Sequence, residues 1–143
     1  MTARPRRLLL MALLALPLMA GLIRPAAAGD NDAIRGVIER QLQAFRADDA
    51  AQAYSYAAPA IRRMFPSAEI FMTMVRNGYP EVYRPRDYRF DELIANGATP
   101  MQKVWITGDN GERVLALYTM TRLADGTWRI AGCVLLRPEE TSA

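Results

Sequence analysis

The sequence predicts an α+β domain in which helices cover one curved antiparallel sheet, and three observations carry that expectation. Apolar residues recur at helical spacing between Ile34 and Val75 and alternate with polar ones from Tyr88 onward, so helices precede strands rather than interleaving with them. The alternating segments are separated by the turns Asn96-Gly97, Gly108-Asp109-Asn110-Gly111 and Asp125-Gly126. Such short turns join antiparallel neighbours, which makes a meander the economical topology. The strands finish on Asp125-Gly126-Thr127-Trp128-Arg129-Ile130, a turn running directly into a last strand.

Residues 1–28 read as a cleaved secretory signal. Arg4, Arg6 and Arg7 form a basic start, and the apolar run Leu8 to Ile23 is 16 residues long, interrupted by Pro17 and Gly21. Ala26-Ala27-Ala28 supplies the small residues for cleavage after Ala28. The run falls short of the roughly 20 residues that span a bilayer, so no stable membrane anchor is expected after cleavage. Arg6-Arg7 before Leu8-Leu9-Leu10 resembles a twin-arginine motif, an alternative to the general secretory (Sec) route. Residues 29–143 are then a single periplasmic or secreted domain.

In that domain Ile34, Val37, Ile38, Leu42 and Phe45 define the first helix, with Asp30, Asn31 and Asp32 as cap candidates. Asp48-Asp49 ends it and caps a second helix containing Ala53, Tyr54 and Ala57. Pro59 opens a short third turn through Ile61, Met64 and Phe65. Ser67 is the N-cap of a fourth helix carrying Ile70, Phe71, Met74 and Val75, which Asn77-Gly78 stops. A brief strand is expected at Glu81 to Arg84. Tyr88, Phe90 and Ile94 alternate as the first long strand, followed by Met101 to Thr107, Glu112 to Leu123 and Trp128 to Leu136.

Charge and composition exclude several classes. The chain has 18 basic and 15 acidic residues, but the four arginines of residues 1–28 leave with the signal, so the mature domain carries 14 basic and 15 acidic side chains. A net charge of −1 argues for neither a nucleic-acid nor an anionic-membrane partner. Histidine is absent, which removes the commonest general base, triad member and metal ligand, and no cofactor or metal site is expected. The single cysteine, Cys133, cannot close an internal disulfide and reads as a small buried apolar residue of the last strand.

The ending Ala44-Phe45-Arg46-Ala47-Asp48-Asp49 of the first helix and the closing Gly126-Thr127-Trp128-Arg129-Ile130 resemble the nuclear transport factor 2-like (cystatin-like) superfamily. That resemblance implies helices packed in the hollow of a curved, mostly antiparallel four- to five-stranded sheet, around a conical pocket. A narrower resemblance is to a bacterial family known as domain of unknown function 4864, over Ala33 to Leu136. It is carried by Ile38-Glu39-Arg40-Gln41-Leu42-Gln43-Ala44-Phe45-Arg46, Ala60-Ile61-Arg62 and Met74-Val75-Arg76-Asn77-Gly78-Tyr79-Pro80. The superfamily includes ketosteroid isomerase-like and cyclase-like enzymes. The isomerase tyrosine's place falls near Gln41 and the base's place near Arg63 or Met64, and neither can do the corresponding chemistry.

The leading expectation is therefore a non-enzymatic domain that binds a small apolar ligand or a protein partner through a conical pocket or a sheet face. Gln41, Tyr54, Phe71, Met74, Tyr79, Tyr88, Phe90, Trp105 and Tyr118 are the pocket-lining candidates, with tyrosine hydroxyls orienting a mostly apolar ligand. The alternative is an isomerase- or cyclase-like enzyme using only carboxylate and tyrosine acid–base chemistry, for which Asp48, Asp91 and Glu92 are the acid candidates. Adjacent Asp48 and Asp49 point in different directions and read as caps rather than as a proton-sharing pair. Met72 and Met74, two apart on a helix, cannot chelate copper together. Arg84, Arg86 and Arg89 around Pro85 form an anion-clamp candidate, with Arg62-Arg63 elsewhere. Apolar residues on both alternations of the last two strands, Leu115 and Leu117 against Ala116 and Tyr118, suggest a homodimer paired through the sheet.

Overall fold

The computed structural model describes residues 26–138 other than Asn96 and Ala98. The signal-like segment 1–25, Asn96 of the first predicted hairpin turn and the tail after Pro138 lie outside the described residues. Among the described residues the helices are α1 (Ala26–Arg46), α2 (Ala50–Ser55), α3 (Pro59–Met64), α4 (Ala68–Gly78) and α5 (Pro80–Tyr83). The strands are β1 (Pro85–Ile94), β2 (Met101–Gly108), β3 (Arg113–Arg122) and β4 (Trp128–Leu136). They form one open antiparallel sheet in the order β1-β2-β3-β4, the expected meander. No described helix is long and apolar enough to cross a membrane.

The core follows from two matching stripes. Ile34, Val37, Ile38, Leu42 and Phe45 are buried along one face of α1. They meet Val104, Ile106, Val114, Ala116 and Met120, which alternate along β2 and β3 toward the helices. Full burial of each large side chain contributes about 1.5–3 kcal/mol, so this contact dominates the fold's stability. Local chemistry sets the helix starts. Asp49 accepts from Gln52 N–H at 3.1 Å at the head of α2, and Ser67 accepts from Ile70 N–H at 3.1 Å at the head of α4. Proline occupies the first turn of α3 and of α5, where its missing N–H is no loss.

Four expectations are corrected. Helix α1 begins at Ala26, so Asp30, Asn31 and Asp32 lie inside it; the alanines before them are the strongest helix formers and extend it. The segment expected to be a brief strand at Glu81 to Arg84 is instead the single-turn helix α5, started by Pro80 and burying Glu81 and Val82. On α4 the buried residues are Phe71, Met72 and Val75, whereas Ile70 is 52% exposed. In β1 the pairing register shifts between Phe90 and Leu93, so Leu93 rather than Ile94 joins Tyr88 and Phe90 against the core.

The end of α1 is tied to α5 by polar contacts. Asp48 has a left-handed backbone (φ 53°), which turns the chain between α1 and α2. Its carboxylate accepts from the Tyr83 hydroxyl and, at 2.7 Å, from Arg84 Nη2, while Arg84 Nη1 donates to the Phe45 carbonyl at 2.6 Å. The Tyr83 hydrogen bond, followed by the Arg84 guanidinium, holds the Asp48 carboxyl below its ordinary value of 3.8. A depressed folded-state pKa stabilises in full above the unfolded value and is lost as pH falls through the folded one. Unfolding midpoints measured from about pH 5 down to about pH 2 should therefore fall less steeply for Asp48→Asn than for the parent chain. Parallel acid limbs would refute the contribution of this carboxylate.

Candidate functional site

Between α3, α4 and β4 the helices do not close onto the sheet, and a cavity of about 340 Å³ remains. Its construction starts from the link between α2 and α3, where Ala57 forms a parallel bridge with Ile130. Ala58 N–H donates to the Ile130 carbonyl at 2.8 Å, and Ile130 N–H donates to the Tyr56 carbonyl at 2.9 Å. These contacts dock the link on the edge of β4 and send α3 across the opening. Ile61 and Met64 of α3 and Phe65 form the roof; Met64 is 69% exposed. Phe71, Met74 and Val75 of α4 form one wall, and Gln41 and Phe45 of α1 close the inner end. The strand side consists of Tyr118 and residues 130–134.

The strand wall depends on a bulge. Met120 pairs with Ile130, but Thr119 pairs with Gly132, so Ala131 is an extra residue in β4. Simple alternation from Ile130 would turn Gly132 and Val134 inward. The bulge instead places Cys133 opposite the inward-facing Tyr118.

Three polar groups stand on this apolar lining. Gln41 is buried, and its Nε2 donates to the Ala53 carbonyl at 3.1 Å. Only the amide nitrogen can serve a carbonyl, so the orientation of this side chain is determined, with Oε1 as its acceptor and a second Nε2 N–H beside the one given to Ala53. Tyr118 is fully enclosed, and its hydroxyl has no hydrogen-bond partner. Burial pushes its phenol well above the ordinary range, with a smaller contribution from the neighbouring Cys133 thiol, which does not complete a hydrogen bond to it. Cys133 is half-buried at the cavity, and burial pushes its thiol up to about 12. Phenol and thiol are both neutral at physiological pH. Among the described residues the lining contains no Asp, Glu, Lys or Arg.

Among the residues singled out from sequence, Gln41, Phe71, Met74, Tyr79 and Tyr118 meet at this cavity. Tyr54 lies behind it, packing on Phe71 at 5.5 Å between ring centres and donating to the Phe65 carbonyl at 2.6 Å. Tyr88 and Phe90 pack edge-to-face in the core on β1, the far edge of the sheet from the cavity. Trp105 is on the opposite sheet face, because alternation turns Val104 and Ile106 inward; its indole donates to Asp91 at 3.0 Å and stacks under Arg113. Asp48, Asp91 and Glu92 are all exposed, and none lines the cavity. Met72 is buried in the core while Met74 lines the cavity, so the two thioethers face different surroundings.

The arginines around Pro85 do not form an anion clamp: Arg84 is held by Asp48 and the Phe45 carbonyl, and Arg86 by the Asp109 carbonyl. Arg62, Arg63 and Arg129 instead share a concavity of about 410 Å³ on the other side of α3. A third concavity, about 290 Å³, includes Arg84, Asp109 and the buried Glu81, whose Oε1 accepts from Arg137 at 2.8 Å. Sequence reasoning passed over Ala131, Gly132 and Cys133 as cavity residues. Their signal was a run of small and apolar residues on both alternations of an edge strand.

The fold and site define an α+β domain with helices on one antiparallel sheet and an apolar cavity between them. The chain matches the family described as Domain of unknown function (DUF4864) over residues 27–143, and it belongs to that family. No curated protein and no solved structure matches it.

A thiol this strongly protonated is a poor nucleophile. Cys133 should stay unmodified by a maleimide in the folded protein at neutral pH and react fully once denatured, as read by mass spectrometry. Rapid modification of the native chain would contradict a thiol held protonated by its surroundings.

Proposed function

We propose that this domain is an exported, non-enzymatic binding module that takes a small, largely apolar ligand between α3, α4 and β4. The observation that carries this reading is an open cavity of about 340 Å³ lined by apolar side chains, with a few uncharged polar groups. Ligand sites are concavities of about 300–1,000 Å³ with this composition. Export rests on the basic start, the apolar run and the alanines of residues 1–28. We also assign the fold to the nuclear transport factor 2-like group, on the Ala44 to Asp49 helix ending and the closing β4 strand.

Binding is favoured over catalysis by the position of the carboxylates. Acid–base chemistry on an apolar substrate needs a proton-transfer group within hydrogen-bond reach. Asp48, Asp91 and Glu92 are solvent-exposed outside the cavity, and Asp48 is ionised more readily than usual.

A neutral solvatochromic dye such as Nile red should bind the full chain saturably with one site. Met74→Trp, which places an indole in the cavity from a half-buried position, should weaken that binding by roughly tenfold while leaving the thermal midpoint within a few degrees. Undiminished dye binding in a folded Met74→Trp variant would remove the cavity as the site.

A second reading concerns the sheet face turned away from the helices. Leu115 pairs with Leu136 and Leu117 with Val134 on that face, and Val134 is 56% exposed. An apolar strip of this kind at the β4 edge suits a second copy of the chain. Small-angle scattering should give a dimer mass at high concentration that Leu117→Lys reduces to a monomer. A monomer at every concentration would end this reading.

A further inference from the structure

We propose that a second site, separate from the apolar cavity, binds a small phosphomonoester on the side of α3 that carries Arg62 and Arg63. Helical spacing divides α3: Ile61 and Met64 line the apolar cavity, while Arg62 and Arg63 share a concavity of about 410 Å³ with Arg129 of β4. Among the described residues no acid lines that concavity, and none of the three guanidiniums makes an ion pair. Asp125 lies in the field of Arg129, but its Oδ1 is taken up by Thr127, accepting from the N–H at 2.9 Å and from the hydroxyl at 2.7 Å. Arg84, by contrast, has its charge met by Asp48. Like charges gathered around one concavity repel one another, and a bound anion offsets that cost.

Two of these arginines are held in place by contacts that leave donors to spare. Arg62 Nε donates to the Ala57 carbonyl at 3.3 Å and Nη2 to the Ser55 carbonyl at 3.1 Å, with the guanidinium 4.9 Å from the centre of the Tyr54 ring. These contacts fix the side chain and leave Nη1 for a ligand. Arg129 is anchored by Nη1 on the Trp128 carbonyl at 3.0 Å, which leaves Nε and Nη2. Arg63 is exposed and makes no hydrogen bond among the described residues, so its whole guanidinium is available. Guanidinium forks match the oxygens of carboxylates and phosphates, and a phosphomonoester carries close to two charges at neutral pH. Several guanidiniums around one concavity favour that dianion over a carboxylate. Pro59 and Leu123 add apolar surface beside them, which suits a small ring or short chain on the ester. A soluble ester fits better than an anionic membrane, because residues 29–143 carry 14 basic and 15 acidic side chains.

Calorimetric titration of the full chain at about pH 7.5 and fixed ionic strength, with phenyl phosphate, inorganic phosphate and benzoate, tests this. Phenyl phosphate should bind at one site, at least roughly fivefold more tightly than either of the others. Arg63→Ala removes a side chain with no hydrogen bond to lose, so the fold should hold while phenyl phosphate affinity falls roughly tenfold. Arg89→Ala, the same charge change at an exposed position on β1, should leave that affinity unchanged. Equal losses in the two variants would reduce the binding to net charge and overturn the site. Displacement of Nile red by phenyl phosphate would place the ester in the apolar cavity and overturn it as well. Benzoate or inorganic phosphate binding as tightly as phenyl phosphate would overturn the assignment to a phosphomonoester. Sedimentation with phosphatidic acid vesicles in the absence of phenyl phosphate binding would overturn the assignment to a soluble ligand. No binding by any of these probes would overturn the proposal and leave the apolar-cavity reading standing.

Discussion

The site exists because the link between α2 and α3 is hydrogen-bonded to the edge of the sheet. An edge strand carries unpaired backbone donors and acceptors that must be satisfied or covered. Ile130 meets that requirement through Tyr56 and Ala58, on both its N–H and its carbonyl. The same two bonds decide where α3 stands. This six-residue helix has no fully buried residue, and within it only Ile61 packs against the core. Its N-terminal end is held by the Ile130 contacts and its C-terminal end by Phe65, whose carbonyl accepts from Tyr54. A helix fixed at its ends and lightly packed along its body spans the opening as a roof and leaves space beneath it.

Polar chemistry is arranged around that space rather than in it. Outside the cavity Asp48, Tyr83 and Arg84 tie the C-terminus of α1 to α5. Within α5, Glu81 is buried against Arg137, and a Cβ at Gly108 would lie as close as 3.0 Å to Glu81 Cγ. On the other side of α3 the arginines face outward toward solvent. The cavity keeps only groups that remain neutral at physiological pH: a carboxamide, a phenol and a thiol. Burial explains the neutrality of the last two, because a low-dielectric surrounding disfavours their ionised forms. Such a lining selects by shape and hydrogen bonding, with electrostatic attraction confined to the exterior.

Much of the architecture was legible because it is written in local patterns. The stripe Ile34, Val37, Ile38, Leu42 and Phe45 could only be one face of a helix, and it is the face buried on the sheet. The glycines of the last two turns adopt positive φ, 80° at Gly111 and 86° at Gly126, a conformation their lack of a Cβ permits. Helix caps at Asp49 and Ser67 were equally readable, because a side chain and a backbone N–H three residues on suffice to make them. The segment Glu81 to Arg84 was misread for the complementary reason. Its single helical turn is supported by burial of Glu81 and by Arg137, which is 56 residues away in the chain.

Composition and periodicity by themselves determined that helices precede an antiparallel meander, that one core forms without disulfides, and that histidine-based catalysis is excluded. Those conclusions need only near-neighbour geometry and residue identity. Tertiary structure alone decided which aromatic residues share a cavity. Trp105 looked like its fellow candidates but points away from the helices, because Val104 and Ile106 occupy the inward positions of β2. Cys133 looked like a routine core residue but stands at the cavity, because one extra residue, Ala131, reverses the alternation of β4. A strand's two faces exchange with a shift of a single residue, and the register that makes this choice is set by pairing with distant segments.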